Sequence, residues 1–406
     1  MYTARNRLNL WLAAALLLLL LPIVACQPQV EVVYAPATFS AAVVTVEVTR
    51  EVAVAEPAAT PLPPTPEVRV EVQTVEVTPP PAGSSERPVR LLFPPQIPAG
   101  VVTARGEILT QALAEATGLQ YRVEQMMSYE ALVEEMCVSP TDTIGFLPAM
   151  GYVLANRRCD VQAANTAVRF DLPWQMGMIV ARADSGIRTL EDLAGKTGAV
   201  PDALSLTRDL YFEAQLTELG IPLPTLVVYE SDTSALLAVY NGEVDFAIAS
   251  YMPPILPYNE RTWVYGQDSP ELWRQLGIAP ERHPVGYVVV IADPEDGGYR
   301  VRDARSGLFD TVPGIFNETR IIGISAPVPN DTIAFGADFP LALARRLTPI
   351  FNAFAASDQC VQSICSTDFY GWSGLATVTD ADYEPLRYIL QTLSLPDEIA
   401  WQTLGH

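Results

Sequence analysis

Val89-Arg90-Leu91-Leu92-Phe93 and Thr143-Ile144-Gly145-Phe146-Leu147 are short, mostly apolar runs, and what lies between them decides the fold. A loop, Pro94-Pro95-Gln96-Ile97-Pro98, follows the first run. Residues 102–117 then place Ile108, Leu109, Leu113 and Ala116 at helical spacing, and Gly118 stops that helix. Leu119 to Val123 reads as a second strand. Ser128 is an N-cap for a helix over 129–137, with Glu130 and Glu134 near a helix start that favours acidic side chains. Strands separated by helices need crossover connections, and so imply a parallel sheet.

The same grammar restarts further along. Asp184-Ser185-Gly186-Ile187 is a turn, and Thr189-Leu190-Glu191-Asp192-Leu193 is a capped helical turn ending at Gly195. Thr197–Val200 is a short strand, and a polar loop at 201–206 leads into a helix over 207–219 that Gly220 stops. Thr225–Tyr229, Thr233–Tyr240 and Val244–Ala249 read as strand, helix and strand. Residues 252–320 carry no clear period; they hold a proline-rich turn, a hairpin around Val285–Val301, and Asp303-Ala304-Arg305. The chain then returns to its first lobe through strands at Arg320–Ser325 and Thr332–Gly336 and helices at 339–356 and 380–394. A lobe interrupted by an inserted lobe leaves a cleft between them, with the crossing segments as hinges.

The amino end sets the compartment. Arg5 and Arg7 precede an apolar run over 8–21, and Ile23-Val24-Ala25-Cys26 closes it. The run is interrupted by Pro22 and falls short of the roughly 20 residues a spanning helix needs, so it reads as a secretory signal over 1–25. The closing tetrapeptide resembles a bacterial lipobox, which makes Cys26 the lipidated residue. An ordinary signal peptide cut nearby is the alternative, and both export the protein. Residues 26–87 are dense in proline and repeat Val-Glu-Val-Thr at 46–49 and 75–78, the composition of an extended stalk rather than a packed core.

The rest of the chain is long enough for two lobes, and 49% of all residues are hydrophobic. With a net charge of −22 and Lys196 as its one lysine, the protein is a poor partner for nucleic acid. If Cys26 carries lipid, Cys137, Cys159, Cys360 and Cys365 remain, and three pairings are open. Cys137–Cys159 with Cys360–Cys365 is the most local. A metal site is disfavoured, since no Cys-x-x-Cys occurs and the histidines are only His283 and His406.

The folded part resembles the phosphonate- and phosphate-type periplasmic binding proteins of ABC importers. The likeness rests on Asp184–Ile187 with Leu190–Lys196, Ala238-Val239-Tyr240-Asn241-Gly242-Glu243-Val244-Asp245, Ser325-Ala326-Pro327-Val328-Pro329-Asn330-Asp331, and Tyr370-Gly371-Trp372 with Asp382-Tyr383, all in the family's order. The resemblance implies an α/β, two-lobed, type 2 periplasmic binding fold. Each lobe would be a mixed sheet flanked by helices, with the ligand between them. On that reading residues 88–182 begin lobe 1, 183–320 form lobe 2 with an insertion, and 321–406 return to lobe 1. It also implies a monomeric receptor that docks on a permease and needs no cofactor.

The family's ligand residues map onto this chain unevenly. Its hydroxyl-rich loop corresponds to Asp202-Ala203-Leu204-Ser205-Leu206-Thr207-Arg208, where Ser205 and Thr207 survive, the glycine is gone and leucines such as Leu206 intervene. Hydroxyls there also serve as N-caps. Where the family has a histidine, this chain has Ser231-Asp232-Thr233, and an acidic Asp232 would repel a dianion. Tyr129 and Trp174 match family aromatics that reach or close over the ligand, although either could simply pack. Ser250 and Tyr251 end a strand and are expected to face the cleft, while Gln96, Phe146 and Pro148 lie in or beside loops after lobe 1 strands.

Catalysis is not expected. Gly371-Trp372-Ser373-Gly374 lacks the spacing of a nucleophile elbow, and two histidines leave little acid–base chemistry. The leading ligand is a small oxyanion or organophosphorus compound such as phosphonate or phosphate. Two alternatives stay open: a neutral or amine-bearing metabolite held by Trp174, Tyr129 and Asp232, and a surface lipoprotein that senses or presents without an importer.

Overall fold

A computed structural model describes residues 44–48, 73–77, 79–259, 261–293 and 297–405. Cys26 and the expected signal segment over 1–25 lie outside these residues. The chain divides into two units, one ending at Thr78 and one beginning at Pro79. In the first, β1 (Val44–Val48) pairs antiparallel with β2 (Gln73–Val77), Val46 opposite Val75. The stalk reading did not anticipate this ladder, in which parts of the two Val-Glu-Val-Thr copies lie side by side.

The second unit opens with β3 (Val89–Phe93), α1 (Ala99–Thr117), β4 (Tyr121–Gln125), α2 (Tyr129–Val138), β5 (Thr143–Leu147), α3 (Ala149–Cys159) and β6 (Gln162–Val168). Next come β7 (Trp174–Arg182), β8 (Thr197–Val200), α4 (Tyr211–Glu218), β9 (Thr225–Val228), α5 (Asp232–Asn241) and β10 (Phe246–Tyr251). A small sheet of β11 (Glu281–Arg282), β12 (Val288–Asp293) and β13 (Gly297–Val301) precedes α6 (Ile315–Glu318) and β14 (Thr319–Ile324). Then follow β15 (Val328–Pro329), β16 (Thr332–Phe335), α7 (Leu341–Ala355), β17 (Gly374–Thr377), α8 (Glu384–Thr392) and α9 (Asp397–Gln402).

The strands form two large mixed sheets, ordered β17-β6-β16-β5-β3-β4 and β14-β7-β10-β8-β9. In β3, Leu92 packs into one apolar cluster while Val89, Leu91 and Phe93 pack into another. Both faces of that sheet are covered, which is why the strand reads as a nearly continuous apolar run. Local signals act as expected: Gly118 closes α1 at φ 75°, and the Ser128 hydroxyl accepts the Ala131 N–H at 3.0 Å.

Long-range pairing moves the lobe boundaries. β7 and β14 both belong to the second sheet, antiparallel to each other, so the expected changeovers at 182 and 320 fall at strand ends inside that sheet. The chain crosses between sheets at 169–173 and again at 325–331. Asn330 ties the crossings together: its side-chain amide donates to the Ala167 and Leu172 carbonyls, each at 2.9 Å.

Both local disulfide pairings form. Cys137–Cys159 joins the ends of α2 and α3 across 22 residues, and Cys360–Cys365 closes a turn of 5. Chain-entropy reasoning gives about 3 kcal/mol for the longer loop and about 2 kcal/mol for the shorter. Urea denaturation with and without reductant is expected to show losses of that order. Equal stability under both conditions would mean that the bridges do not restrict the unfolded chain.

Candidate ligand-binding cleft

In the first sheet β3, β4 and β5 are parallel and β16 runs against β5, so the carboxyl ends of β3–β6 and the amino ends of β16 and β17 share one edge. In the second sheet the carboxyl ends of β8, β9 and β10 lie with the amino end of β7. The crossings at 169–173 and 325–331 leave from these two edges. The edges therefore wall the cleft, where open α/β sheets bind ligands.

On the first wall, Ser128 caps α2 and Tyr129 is its first residue, half-buried. Asp331, just before β16, accepts from Trp372 Nε1 at 3.1 Å and Arg169 Nη2 at 2.8 Å, both on Oδ2. The Tyr370 and Trp372 rings lie 4.4 Å apart, backed by Phe146 and Phe93. Burial and the Asp331 charge push both phenols up, strongly for Tyr370, so each hydroxyl keeps its proton and can donate. Tyr370 Oη is buried and has no hydrogen-bond partner in the protein.

The second wall is built around a distorted helix start. The expected hydroxyl caps do not form. Asp209 and Leu210 both donate backbone N–H groups to the Ser205 carbonyl at 3.0 Å, giving a wide π-type turn over Leu206–Leu210. Leu204 sits at φ 69°, a costly conformation for a leucine, and its N–H donates to Asp209 Oδ2 at 2.9 Å. Burial pushes the Asp209 carboxyl up, and the Leu204 N–H offsets part of that. Arg208 reaches from the turn to Ser250 Oγ at 3.2 Å and to Asp202 at 3.4 Å, while its Nε is buried without a partner.

Gly177 on β7 fixes the position of this turn. A Cβ there would lie 2.1 Å from the Thr207 carbonyl oxygen. Gly177→Ala is expected to displace the turn and cost about 1–3 kcal/mol, read by thermal melting. An unchanged melting temperature would show that the turn relaxes freely.

The expected site residues are brought together only in part. Tyr129 and Pro148, with the exposed Gln96, lie at the edge of the first sheet, and Trp174, Ser205, Asp232 and Ser250 at that of the second. Asp232 opens α5 with a buried, unpartnered Oδ1. Four side chains do not face the cleft as expected. Tyr251 is 2% exposed, and its hydroxyl donates to the Pro270 carbonyl at 3.0 Å, because the alternation of β10 turns it into the lobe 2 core. Phe146 is 1% exposed and stacks on Phe93. Thr207 is buried, and Leu206 packs on the lobe core. Asp331, Tyr370 and Trp372 were not singled out as site residues, although they stand in the motifs that carried the family likeness.

Two mixed sheets, joined by two crossings and presenting polar groups on facing edges, define a two-lobed type 2 periplasmic binding fold. The family described as "ABC transporter, phosphonate, periplasmic substrate-binding protein" matches residues 91–383, and the chain belongs to it. Its members are extracytoplasmic substrate-binding components of ABC transporters, which capture small ligands and work with a permease. Among solved structures, a Xanthomonas citri protein bound to ATP is 13% identical, covers 75% of this chain and 96% of its own, and has a TM-score of 0.42. A binding-protein component of an ABC phosphonate transporter from Pseudomonas aeruginosa is 15% identical, covers 80% and 93%, and scores 0.37. PhnD1 from Prochlorococcus marinus in complex with methylphosphonate is 10% identical, covers 75% and 98%, and scores 0.37. Among the described residues no helix is long and apolar enough to cross a membrane.

Proposed function

We propose that this protein is a monomeric receptor, lipid-anchored through Cys26, that closes its lobes on a small oxyanion such as a phosphonate or phosphate and presents it to an ABC permease without catalysis. The observation that carries the ligand class is the pair of unspent donors on the facing walls. Arg208 Nε on one side and Tyr370 Oη on the other are buried and lack protein partners. A buried donor left unpaired is costly, and an anionic oxygen arriving between the lobes satisfies both. Tyr129, also held protonated, adds a third donor. The likeness of the whole folded part to phosphonate-type receptors points the same way.

Asp232 favours a second reading. Its unpartnered Oδ1 accepts rather than donates, so a ligand with an ammonium or hydroxyl group would suit that end of the wall. The test is thermal melting of the full chain with methylphosphonate, phosphate, sulfate, and a panel of neutral and amine metabolites. A ligand at 100 times its Kd stabilises by about 2.7 kcal/mol. Stabilisation by methylphosphonate or phosphate supports the oxyanion reading. A response confined to neutral or amine compounds replaces it with the second.

A further inference from the structure

The second lobe contains a cavity that is separate from the cleft. It lies between α4 and the face of the second sheet, away from the strand ends, and has a volume of about 290 Å³. Ile179 on β7 and Ile248 on β10 line it from the sheet, and Phe212 and Leu216 line it from α4. These four side chains are almost wholly buried, so the walls are fixed by the core. Leu223, 51% exposed, stands at the rim and leaves the space open to solvent. An apolar space of about 150 Å³ already accommodates benzene, so this one is large enough for a small organic molecule.

Two carboxylates break the apolar lining, Asp209 and Glu213, one turn apart where α4 begins. No arginine or lysine lines the cavity among the described residues. Burial pushes both carboxyls up; the Asp202 charge adds to the shift of Asp209, and the Asp209 charge to that of Glu213. Asp209 has the Leu204 N–H as a partner, whereas among the described residues no cation opposes the charge of Glu213. Negative charge at the wall of an apolar cavity is stabilised by a cation whose remaining surface is apolar.

We infer that this cavity is a second binding site, for a small apolar ammonium compound whose hydrocarbon part lies between α4 and the sheet and whose cationic head meets Glu213 and Asp209. The cavity lies away from the facing strand ends, and of its lining only Asp209 also belongs to the turn of the second cleft wall. The apolar surface supplies affinity, and the carboxylates supply selectivity for a cation over a neutral or anionic analogue of the same length.

The experiment is isothermal titration of the full chain at pH 8 with hexylammonium, hexan-1-ol and hexanoate. Hexylammonium is expected to bind saturably and about tenfold more tightly than hexan-1-ol, with hexanoate weakest. Glu213→Gln is the sharper variant because Asp209 also holds the cleft turn; it should remove most of the preference for hexylammonium over hexan-1-ol. Leu223→Arg, at the exposed rim, tethers a competing cation at the mouth and should abolish hexylammonium binding, which keeps the test decisive if Glu213→Gln does not fold. Both positions are outside the cleft, so a loss in these variants locates the site. No saturable binding of hexylammonium, equal affinity for the alcohol, or undiminished hexylammonium binding in the folded variants would each overturn the inference.

Discussion

Arg305→Met is expected to lower the free energy of unfolding by about 3–5 kcal/mol, the largest stability effect of any single substitution considered for this chain. The guanidinium is fully buried. Its Nε and Nη2 donate to the two oxygens of Asp303 at 2.9 and 3.0 Å, and Nη1 pairs with Glu271 at 2.8 Å. The group also lies 4.8 Å from the centre of the Phe316 ring. Methionine keeps the apolar stem but strands two carboxylates that are themselves almost buried. Arg274, at 2.5 Å from Glu271, compensates one of them in part. Burial alone would raise the Glu271 carboxyl, yet Arg305 and Arg274 outweigh it and hold the group below the ordinary carboxylate range. A depressed folded-state pKa contributes stability above the unfolded value that is lost as pH falls through the folded one. In the variant that depression weakens, so the deficit against the parent should be widest at neutral pH and narrow toward pH 4. Urea denaturation at both values checks this. A constant or negligible deficit would mean that the network contributes packing alone.

This network also marks where sequence reading stops. Asp303-Ala304-Arg305 was visible as a charged tripeptide in a segment without period, but nothing local connects it to Glu271 or Thr319. The elements read correctly are those with local causes: Ser128 as a cap, Gly118 as a helix stop, and the short, mostly apolar run of β3. What failed depends on pairing across long separations. β7 and β14 join the second sheet because they pair with each other and β7 pairs with β10, and neither relation leaves a period in the sequence. The π-type turn escaped for a similar reason. A hydroxyl after a strand usually signals a cap, whereas here the turn is set by the bare backbone of Gly177 on a neighbouring strand. Likewise, Tyr129, Asp331 and Tyr370 meet only because the returning chain inserts β16 between β5 and β6. Tyr251 was misread because the end of a strand fixes where the backbone goes, while alternation fixes where the side chain points.

Arg208→Ala is expected to weaken methylphosphonate binding by about 100-fold while leaving the melting temperature nearly unchanged. The two readouts separate because the arginine makes little structural contribution. Its Asp202 contact is long, at 3.4 Å, and the Ser250 hydroxyl it reaches can turn to water when the side chain is gone. For a bound anion the balance differs. A charge-assisted hydrogen bond contributes roughly 1.5–3 kcal/mol, and the upper end corresponds to about two orders of magnitude in affinity. Arg208→Lys should recover only part of the loss, since an ammonium lacks the planar fork in which Nη1 holds Ser250 while Nε stays unspent. Tyr370→Phe removes a neutral donor and should cost about tenfold, with a small gain in stability because an unpaired buried hydroxyl is deleted. That opposite movement of affinity and stability distinguishes a residue held ready for ligand from one that merely packs. If instead Arg208→Ala binds methylphosphonate as the parent does, the guanidinium serves only to brace the turn, and recognition shifts toward the acidic end of the wall at Asp232.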